Sequence, residues 1–510
     1  MPSNDESKWV DRLETQLNAC SLETLYTPAK NNRYPLVIGC YQLNETSESS
    51  DQNSSYDDSG ENEGTKPGSN NDDDDDDTET KVETETDAKA KTKASRSGEL
   101  MLFSINEELK LSEHQQKNTL SSDGSGVLDG KWLQSGPFQF SNSNSNSSSG
   151  SEALGASDVE YFMYATANAS GALNLYRLNI LEEKVEEEAH ESGTSISASA
   201  SASTSMQLQQ IGSSGVYHNG LALSLAWDEA SYKYQSQSTS RIVSSYSDGT
   251  VALHRIENAN DETTHNHNYN TEEGMQVQAV QEFRWNAHTL FGCPSEVWTA
   301  CFASNRHYAT HADTVISGGD DCQMKLWDLR LCSSASASDS DSASCSSNQN
   351  PKPIAVQKDF EAGVTAVAYH PSLEHIFAVG SYDEGVRIWD MRKVGGRSDP
   401  LGNVQVGGGV WRIKWHPKDP DRMLVGAMHG GCRILDIPGI RDHDGDIHNG
   451  STSNDSDSMG IGGTLEMNIV KEFTEHRSMA YGADWIYEEH GRYEAAASCS
   501  FYDRQAFVWE

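Results

Sequence analysis

The stretch from Gly363 to Arg392, GVTAVAYHPSLEHIFAVGSYDEGVRIWDMR, holds three short apolar runs separated by turns, and imperfect copies of it recur along the chain. Val364, Val367 and Tyr369 lie in a β-branched run closed by His370-Pro371. Ile376 to Val379 form a second run and Val386 to Trp389 a third, with Asp383, Glu384 and Gly385 as the tight turn between them. Three such strands cannot bury both faces of their own sheet. The unit needs like neighbours, which confines the chain to an all-β repeat architecture.

From the N-terminus, Leu22 to Pro28 and Tyr34 to Leu43 read as the first two strands of a first unit, with Glu99 to Ile105 as its third. The second unit is vague at its start and clear at Tyr161 to Thr166 and Ala172 to Leu178, around the turn Asn168 to Gly171. The third runs through Leu221 to Asp228 and Arg241 to Ile256, and the fourth from Val297 to Arg330. The fifth is the stretch above, the sixth starts at Gly409, and the seventh ends the chain with YGADWIY and AAASCSFYDRQAFVW. Seven units in a single domain, 1–510, are expected. The last unit offers only three strands, so its outermost strand must come from elsewhere. Arg12 to Cys20 is the expected donor, since pairing it there would remove the open edges of a ring; a short N-terminal helix is the alternative for that segment.

Between the strands lie polar stretches at about 44–97, 141–157, 182–215, 257–276, 331–352 and 441–463, rich in Ser, Asn and acidic residues. They lack the apolar surface to offset the entropy of ordering and read as disordered loop insertions, tolerated because loop-closure entropy grows slowly with length. They also explain why only 35% of the 510 residues are hydrophobic. The net charge of -39 points away from direct nucleic-acid binding, which needs a basic surface. Part of it sits in the run Asp72 to Asp77, a solvated insertion. Nine cysteines without framework spacing fit a reducing compartment. Met1 to Cys20 has no apolar core of a secretory signal, and no window of 18 residues is apolar throughout. A cytoplasmic monomer with no membrane partner is expected.

Trp327-Asp328 and Trp389-Asp390 end the third strand of two units, and Leu435-Asp436 and Trp509-Glu510 are degenerate forms of the same ending. With a turn Asp at the matching offset, the chain resembles the WD40 repeat family, which implies a seven-bladed β-propeller. In that pattern the turn between second and third strands, and the connection leading into each innermost strand, share one face of the disc. Asp248, Asp321, Asp383 and Asp503 are expected to hold those turns by hydrogen bonds to backbone. His429 takes the place of the Asp in the sixth unit and puts a titratable imidazole there. Aligning the innermost strands on Phe302, Tyr369, Trp415 and Trp485 brings Trp298, Thr365, Trp411 and Tyr481 to one position. Three are large aromatics, and Tyr382 and Tyr502 lie in adjacent turns. The set points to a pocket for an apolar or cationic group, or else to aromatic filling between blades. The lead-in loops add Glu361, the triple glycine Gly407 to Gly409, and Glu475, His476 and Arg477. Gly408 offers amide donors for an oxyanion, or relieves a tight connection.

Taken together, SYDEGVRIWDMR, GGGVWRIKWHP, AMHGGCRILD, EHRSMAYGADW and CSFYD resemble the WD-repeat diphthine methyl ester hydrolases of diphthamide biosynthesis, over roughly Gly363 to Trp509. The resemblance implies hydrolysis of a methyl ester on a modified histidine of translation elongation factor 2, releasing methanol, with no cofactor and no metal. The trimethylammonium of diphthine would sit in a cage of Trp298, Trp411 and Tyr481 with Tyr382 or Tyr502. His429 and His476 are candidate bases, Asp484 or Asp503 the orienting carboxylate, and the backbone at Gly408 the oxyanion donor. There is no Gly-x-Ser-x-Gly, His-Glu-x-x-His or paired Cys-x-x-Cys motif. His307 and His311 read as loop residues, and Ser381 or Ser500 would need a histidine within reach to act as nucleophile. A competing class is a non-catalytic substrate receptor or scaffold. Trp327-Asp328-Leu329-Arg330 and Trp389-Asp390-Met391-Arg392 resemble the WD-x-R ending of receptors that dock on cullin-RING ubiquitin ligases, where an exposed Arg meets an acidic adaptor.

Overall fold

Each repeat folds into a four-stranded antiparallel sheet, one strand more than its apolar runs reveal. In the fifth, Val364–Tyr369, Ile376–Ser381, Gly385–Asp390 and Gly402–Gln405 lie side by side in chain order. The two middle strands are buried at every residue, because neighbouring sheets cover both faces, and so they read as continuous apolar runs. The outer strand, GNVQ, is half exposed and carries no such signal. These observations come from a computed structural model that describes residues 8–27, 33–44, 95–115, 124–136, 162–183, 203–217, 219–230, 240–259, 276–334, 351–395, 399–444, 464–487 and 494–510. Residues 1–42 and 96–510 form one compact unit.

Written from inner to outer strand, the first blade is Asn18–Thr24, Tyr34–Asn44, Ser95–Ile105 and Leu111–Gln115. The second is Val127–Trp132, Phe162–Asn168, Leu173–Glu183 and Ser203–Ser213; the third is Ala222–Trp227, Arg241–Tyr246, Thr250–Asn258 and Val277–Asn286. The fourth is Val297–Phe302, Thr314–Gly319, Gln323–Asp328 and Ala355–Gln357, and the sixth Arg412–Trp415, Arg422–Gly426, Cys432–Asp436 and Asn468–Phe473. The seventh takes Ala480–Tyr487, Glu494–Ser500 and Gln505–Trp509 and completes itself with Trp9–Glu14. Each inner strand packs on the next, and that of blade seven packs on that of blade one, so the ring is closed. The fold is a seven-bladed β-propeller.

The strand that closes the seventh blade is Trp9–Glu14, paired from Trp9↔Trp509 to Glu14↔Gln505, and not Arg12 to Cys20. The chain turns at Thr15, whose Oγ1 donates to Leu17 O at 2.7 Å, and Asn18–Thr24 continues as the inner strand of blade one. The expected insertion at 182–215 is corrected as well. Ser203–Ser213 is an outer strand whose Met206, Leu208 and Ile211 are buried, a pattern hidden in sequence by the serine-rich run before it. Ser95–Ile105 likewise begins inside the stretch 44–97. Residues 45–94, with the Asp72 to Asp77 run, and the central parts of the other expected insertions lie outside the described residues. The outer edges of blades two and three meet in a parallel pairing, Val277↔Gly212 and Gln278↔Ser213, which joins them into one eight-stranded sheet. Gly212 allows this approach, since a Cβ there would lie 1.9 Å from Val277 O.

Candidate functional site

Alternate residues of each inner strand face the axis. The residue before the bulky side chain at or near the end of each inner strand is Lys131, Ala226, Cys301, Ala368, Lys414 or Asp484 in blades two to seven, and Glu23 stands level with them in blade one. Four of these are charged, Glu23 and Asp484 buried and Lys131 and Lys414 half-buried, and they pair with one another. Lys414 Nζ lies 2.6 Å from both Glu23 carboxylate oxygens and 3.3 Å from Asp484 Oδ2. Lys131 binds Glu23 and stands 3.4 Å from Asp129 Oδ1. Arg412 Nη2 donates to Asp129 Oδ1 at 3.0 Å, linking blades six and two across the axis. Asp484 also accepts from Thr24 N at 2.9 Å and Tyr26 Oη at 2.5 Å.

Burial sets the titration of this network and the partners correct it. Against the upward push of burial, Arg412 and Lys131 hold the Asp129 carboxyl below its ordinary value, and Lys131 and Lys414 do the same for Glu23. For Asp484, burial and the nearby Glu23 win over Lys414, and its carboxyl is pushed up. Burial and Arg412 lower Lys131.

A cavity of about 170 Å³ lies in the channel beside the network, lined on one side by Asp129, Lys131, Arg412 and Lys414 and on another by Trp298 and Trp411. Arg412 Nε is buried and has no hydrogen-bond partner among the described residues, so a guanidinium donor is left over. The aromatic side chains of the lead-in positions meet above it. Trp298 and Trp411 have ring centroids 5.6 Å apart, Tyr382 stands 6.1 Å from each, and Tyr481 is 4.9 Å from Trp411. Trp298 Nε1 donates to Asp320 Oδ1 at 3.2 Å, which fixes its indole. Burial pushes up the phenols of Tyr382 and Tyr481, the latter to about 12, so both stay neutral. Tyr502 is exposed and reaches the cluster only through Phe501, 4.9 Å from it and 5.5 Å from Tyr481. Phe501 and Tyr41, whose rings lie 4.9 Å apart, were not singled out from sequence.

Residues 284–328 and 351–390, which span blades four and five, match the family model described as WD domain, G-beta repeat. The chain is 28% identical over 343 residues to a diphthine methyltransferase homolog of Dictyostelium discoideum, covering 67% of this chain and 71% of that protein. It is 28% identical over 398 residues to the diphthine methyltransferase of Mus musculus, covering 78% and 60%, and 27% identical over 406 residues to that of Homo sapiens, covering 80% and 65%. The chain is similar to WD-repeat proteins named diphthine methyltransferase. The aligned part is less than two thirds of the length of the mouse and human relatives.

In this propeller the other expected site residues divide. His429 is exposed, in a turn tied to blade seven by Ala480 N donating to Met428 O at 3.1 Å, while Trp411 N donates to Gly426 O at 2.8 Å. His429, Trp411 and Tyr481 therefore share one end of blades six and seven. His429 has no hydrogen-bond partner among the described residues, and neither Asp484 nor Asp503 orients it. Asp484 belongs to the channel floor. Asp503 is held by Arg477 N at 2.8 Å, Gln505 N at 3.2 Å and the Ser500 hydroxyl.

The structure places the His476 ring in a buried hydrogen-bonded triad. Its Nε2 meets Ser498 Oγ at 2.7 Å, Trp509 Nε1 donates to the same hydroxyl at 3.0 Å, and its ring packs edge-on to Phe473 and Phe507. Blade four builds the same device from His288, Ser317 and Trp327, with Asp321 on the other imidazole nitrogen at 2.7 Å. Asp321 thus holds His288 and Lys325, while Asp248, Asp383 and Asp503 accept from turn amides as expected.

Gly408 is buried against the turn of blade six, where a Cβ would lie 2.1 Å from Ala427 O, so close backbone approach explains the glycine. Glu361 is exposed, with its amide donating to Asp383 Oδ2 at 3.1 Å. Ser381 donates to Ala362 O and Ser500 to Asp503, so neither hydroxyl is activated by a histidine. His307 and His311 lie in a loop, where His311 meets His375 at 3.2 Å. Arg330 and Arg392 of the two WD-x-R endings close back onto Asp328 at 2.6 Å and Asp390 at 2.9 Å. Among the described residues no cluster of His, Cys, Asp and Glu is arranged to hold a metal, and no helix is long and apolar enough to cross a membrane.

Proposed function

We propose that this propeller acts in diphthamide biosynthesis as a carboxylic ester hydrolase, converting diphthine methyl ester on translation elongation factor 2 to diphthine and methanol in the cytoplasm. The observation that carries the reading is a cavity walled by Trp298 and Trp411, beside a buried guanidinium N–H of Arg412 that has no partner among the described residues. The substrate bears a trimethylammonium and an ester on the same carbon. A site for it needs a π surface next to an oxyanion donor. Each ring face contributes about 0.5 to 2 kcal/mol to holding the cation, and a preorganised donor at the developing oxyanion accelerates the chemistry.

In this reading a water attacks the ester carbonyl while Asp129, kept ionised by Arg412 and Lys131, takes its proton. Arg412 Nε donates to the tetrahedral oxyanion. Collapse breaks the carbonyl carbon to methoxy oxygen bond, the proton passes from Asp129 to the leaving oxygen, methanol departs, and the carboxylic acid left behind gives its proton to solvent and pairs as a carboxylate with Arg412. His429 at the rim is the second candidate base. The cavity of about 170 Å³ matches the tip of one side chain, as roughly 150 Å³ accommodates benzene. It is smaller than the roughly 300 to 1,000 Å³ of pockets for drug-sized ligands, which favours water as co-reactant over a nucleoside methyl donor.

The test is methanol release, with loss of one CH₂ from the modified histidine, when purified protein meets the ester-bearing factor. Absence of release, or equal release by Arg412→Gln and Trp411→Ala, refutes the reading. A receptor docking on a cullin-RING ligase adaptor is weaker, because both WD-x-R arginines are closed onto their own aspartates. Co-purification of an adaptor without any ester hydrolysis would reverse that order.

A further inference from the structure

Phe291, 97% exposed, and Tyr502, 67% exposed, stand further into solvent than the other large hydrophobic side chains described. Phe291 tips a small hairpin, Thr289–Leu290 paired with Cys293–Pro294, between blades three and four. The hairpin base is clamped. Ala287 N and His288 N both donate to Gly249 O, Lys325 Nζ donates to Ala287 O, and the buried His288 ring is held by Asp321 and Ser317. Phe291 has φ 50° and Gly292 φ 83°, the signs of a two-residue type I′ turn. Asn, Asp or Gly ordinarily takes the first of these positions, because a side chain in the left-handed region costs about 1 to 2 kcal/mol. The turn thus carries backbone strain and an apolar ring in water, with no packing among the described residues to offset either.

The hairpin stands on the face of the aromatic mouth. Its second arm runs through Ser295 and Glu296 into the inner strand that bears Trp298, and Glu296 O accepts from Asp320 N, next to the carboxylate that orients Trp298. Tyr502 lies on the turn of blade seven, joined through Phe501 to Tyr481 of that mouth. In a ring of seven, blade seven is opposite the junction of blades three and four. The two exposed aromatics therefore flank the mouth from opposite sides.

We infer that Phe291, with Leu290, is a docking knob that seats in an apolar recess of the folded protein presenting the substrate side chain, and that Tyr502 makes the second contact across the mouth. The inference rests on the reading above, in which the substrate is borne by a protein whose surface must rest on this rim when the side chain enters the channel. A rigid knob on a clamped base suits a recess of fixed shape. An anionic lipid surface is a poor match for a chain of net charge -39.

Phe291→Asn separates this role from folding, because Asn suits the left-handed turn and the knob touches no core. The variant keeps or gains thermal stability. Titrated with purified ester-bearing elongation factor, it binds roughly tenfold or more weakly, as expected for loss of a hot-spot aromatic. KM for the factor rises in step at unchanged kcat, while hydrolysis of free betaine methyl ester stays at the wild-type rate. Tyr502→Ala gives a smaller loss in the same direction. Wild-type turnover and binding of the factor that Phe291→Asn leaves within twofold overturn the docking inference alone. So does a wild-type dimer in sedimentation that the variant dissolves without loss of factor binding. A wild-type chain that neither binds nor hydrolyses the factor overturns the inference and the proposed function together.

Discussion

Replacing Lys414 with Met removes the ammonium that holds Glu23 and Asp484 while keeping most of the side-chain volume. At an effective dielectric of about 20, contacts of 2.6 and 3.3 Å are each worth about 5 to 6 kcal/mol before desolvation. The ammonium's own burial cost cancels much of this. What remains is the roughly 3 to 5 kcal/mol seen when one partner of a buried ion pair is removed. The network then holds three carboxylates, Glu23, Asp129 and Asp484, against Lys131 and Arg412 only. Asp484 is where the excess charge is relieved, since its carboxyl is already raised by burial and by Glu23. A folded-state pKa above the unfolded one gives stability that is present at low pH and lost as pH rises through the folded value. The deficit of Lys414→Met is therefore largest near neutral pH and shrinks as pH falls toward the ordinary carboxylate range. Urea unfolding of wild type and variant at both ends of that range measures it, and Asp484→Asn added to Lys414→Met restores part of the loss at neutral pH. A deficit below about 1 kcal/mol, or one independent of pH, would refute this account of the channel floor.

Trp411→Ala raises KM for the trimethylammonium ester by about 2- to 30-fold and Trp411→Phe by less; in wild type an uncharged tert-butyl analogue shows a comparable loss, and an analogue that binds equally well removes the cation from the argument. Asp129→Asn lowers kcat by about 100-fold or more while His429→Ala retains turnover, and the reverse outcome moves the base from the channel to the rim. Burial pushes His476 down to about 4 from an ordinary 6.5, so between those values the unfolded chain binds more protons and stability rises with pH. His476→Gln flattens that limb of the Tm-versus-pH curve, and an unchanged slope would show that the imidazole is not held neutral in the fold.

The inner three strands of each blade are legible because enclosure on both faces demands unbroken apolar runs. Outer strands are not. Asn468–Phe473 buries only its last residue fully, and Trp9–Glu14 is polar enough to have been merged with the strand that follows it. The aromatic cluster of Trp298, Trp411, Tyr481 and Tyr382 could be assembled from strand offsets alone, since equivalent positions in a ring converge on its axis. The charged floor could not. Its members come from four blades, two of them the most degenerate repeats, and pairing across the axis has no counterpart in sequence distance. One clue was present: Arg412 and Lys414 stand in the innermost strand WRIKW, where a charge must find a partner. A lead-in histidine such as His476 looks alike in sequence whether it serves as base or as anchor. The telling sign was Ser498 eleven residues before Trp509, matching Ser317 ten before Trp327.

The parallel contact of Gly212 and Ser213 with Val277 and Gln278 makes two wedges of the disc behave as one. Other wedges meet chiefly through packed faces, whereas this pair also shares a main-chain ladder at the circumference and resists rocking more strongly. Any breathing that admits a bulky group to the axis must fall on the remaining junctions, which gives the disc a stiff sector and a compliant one.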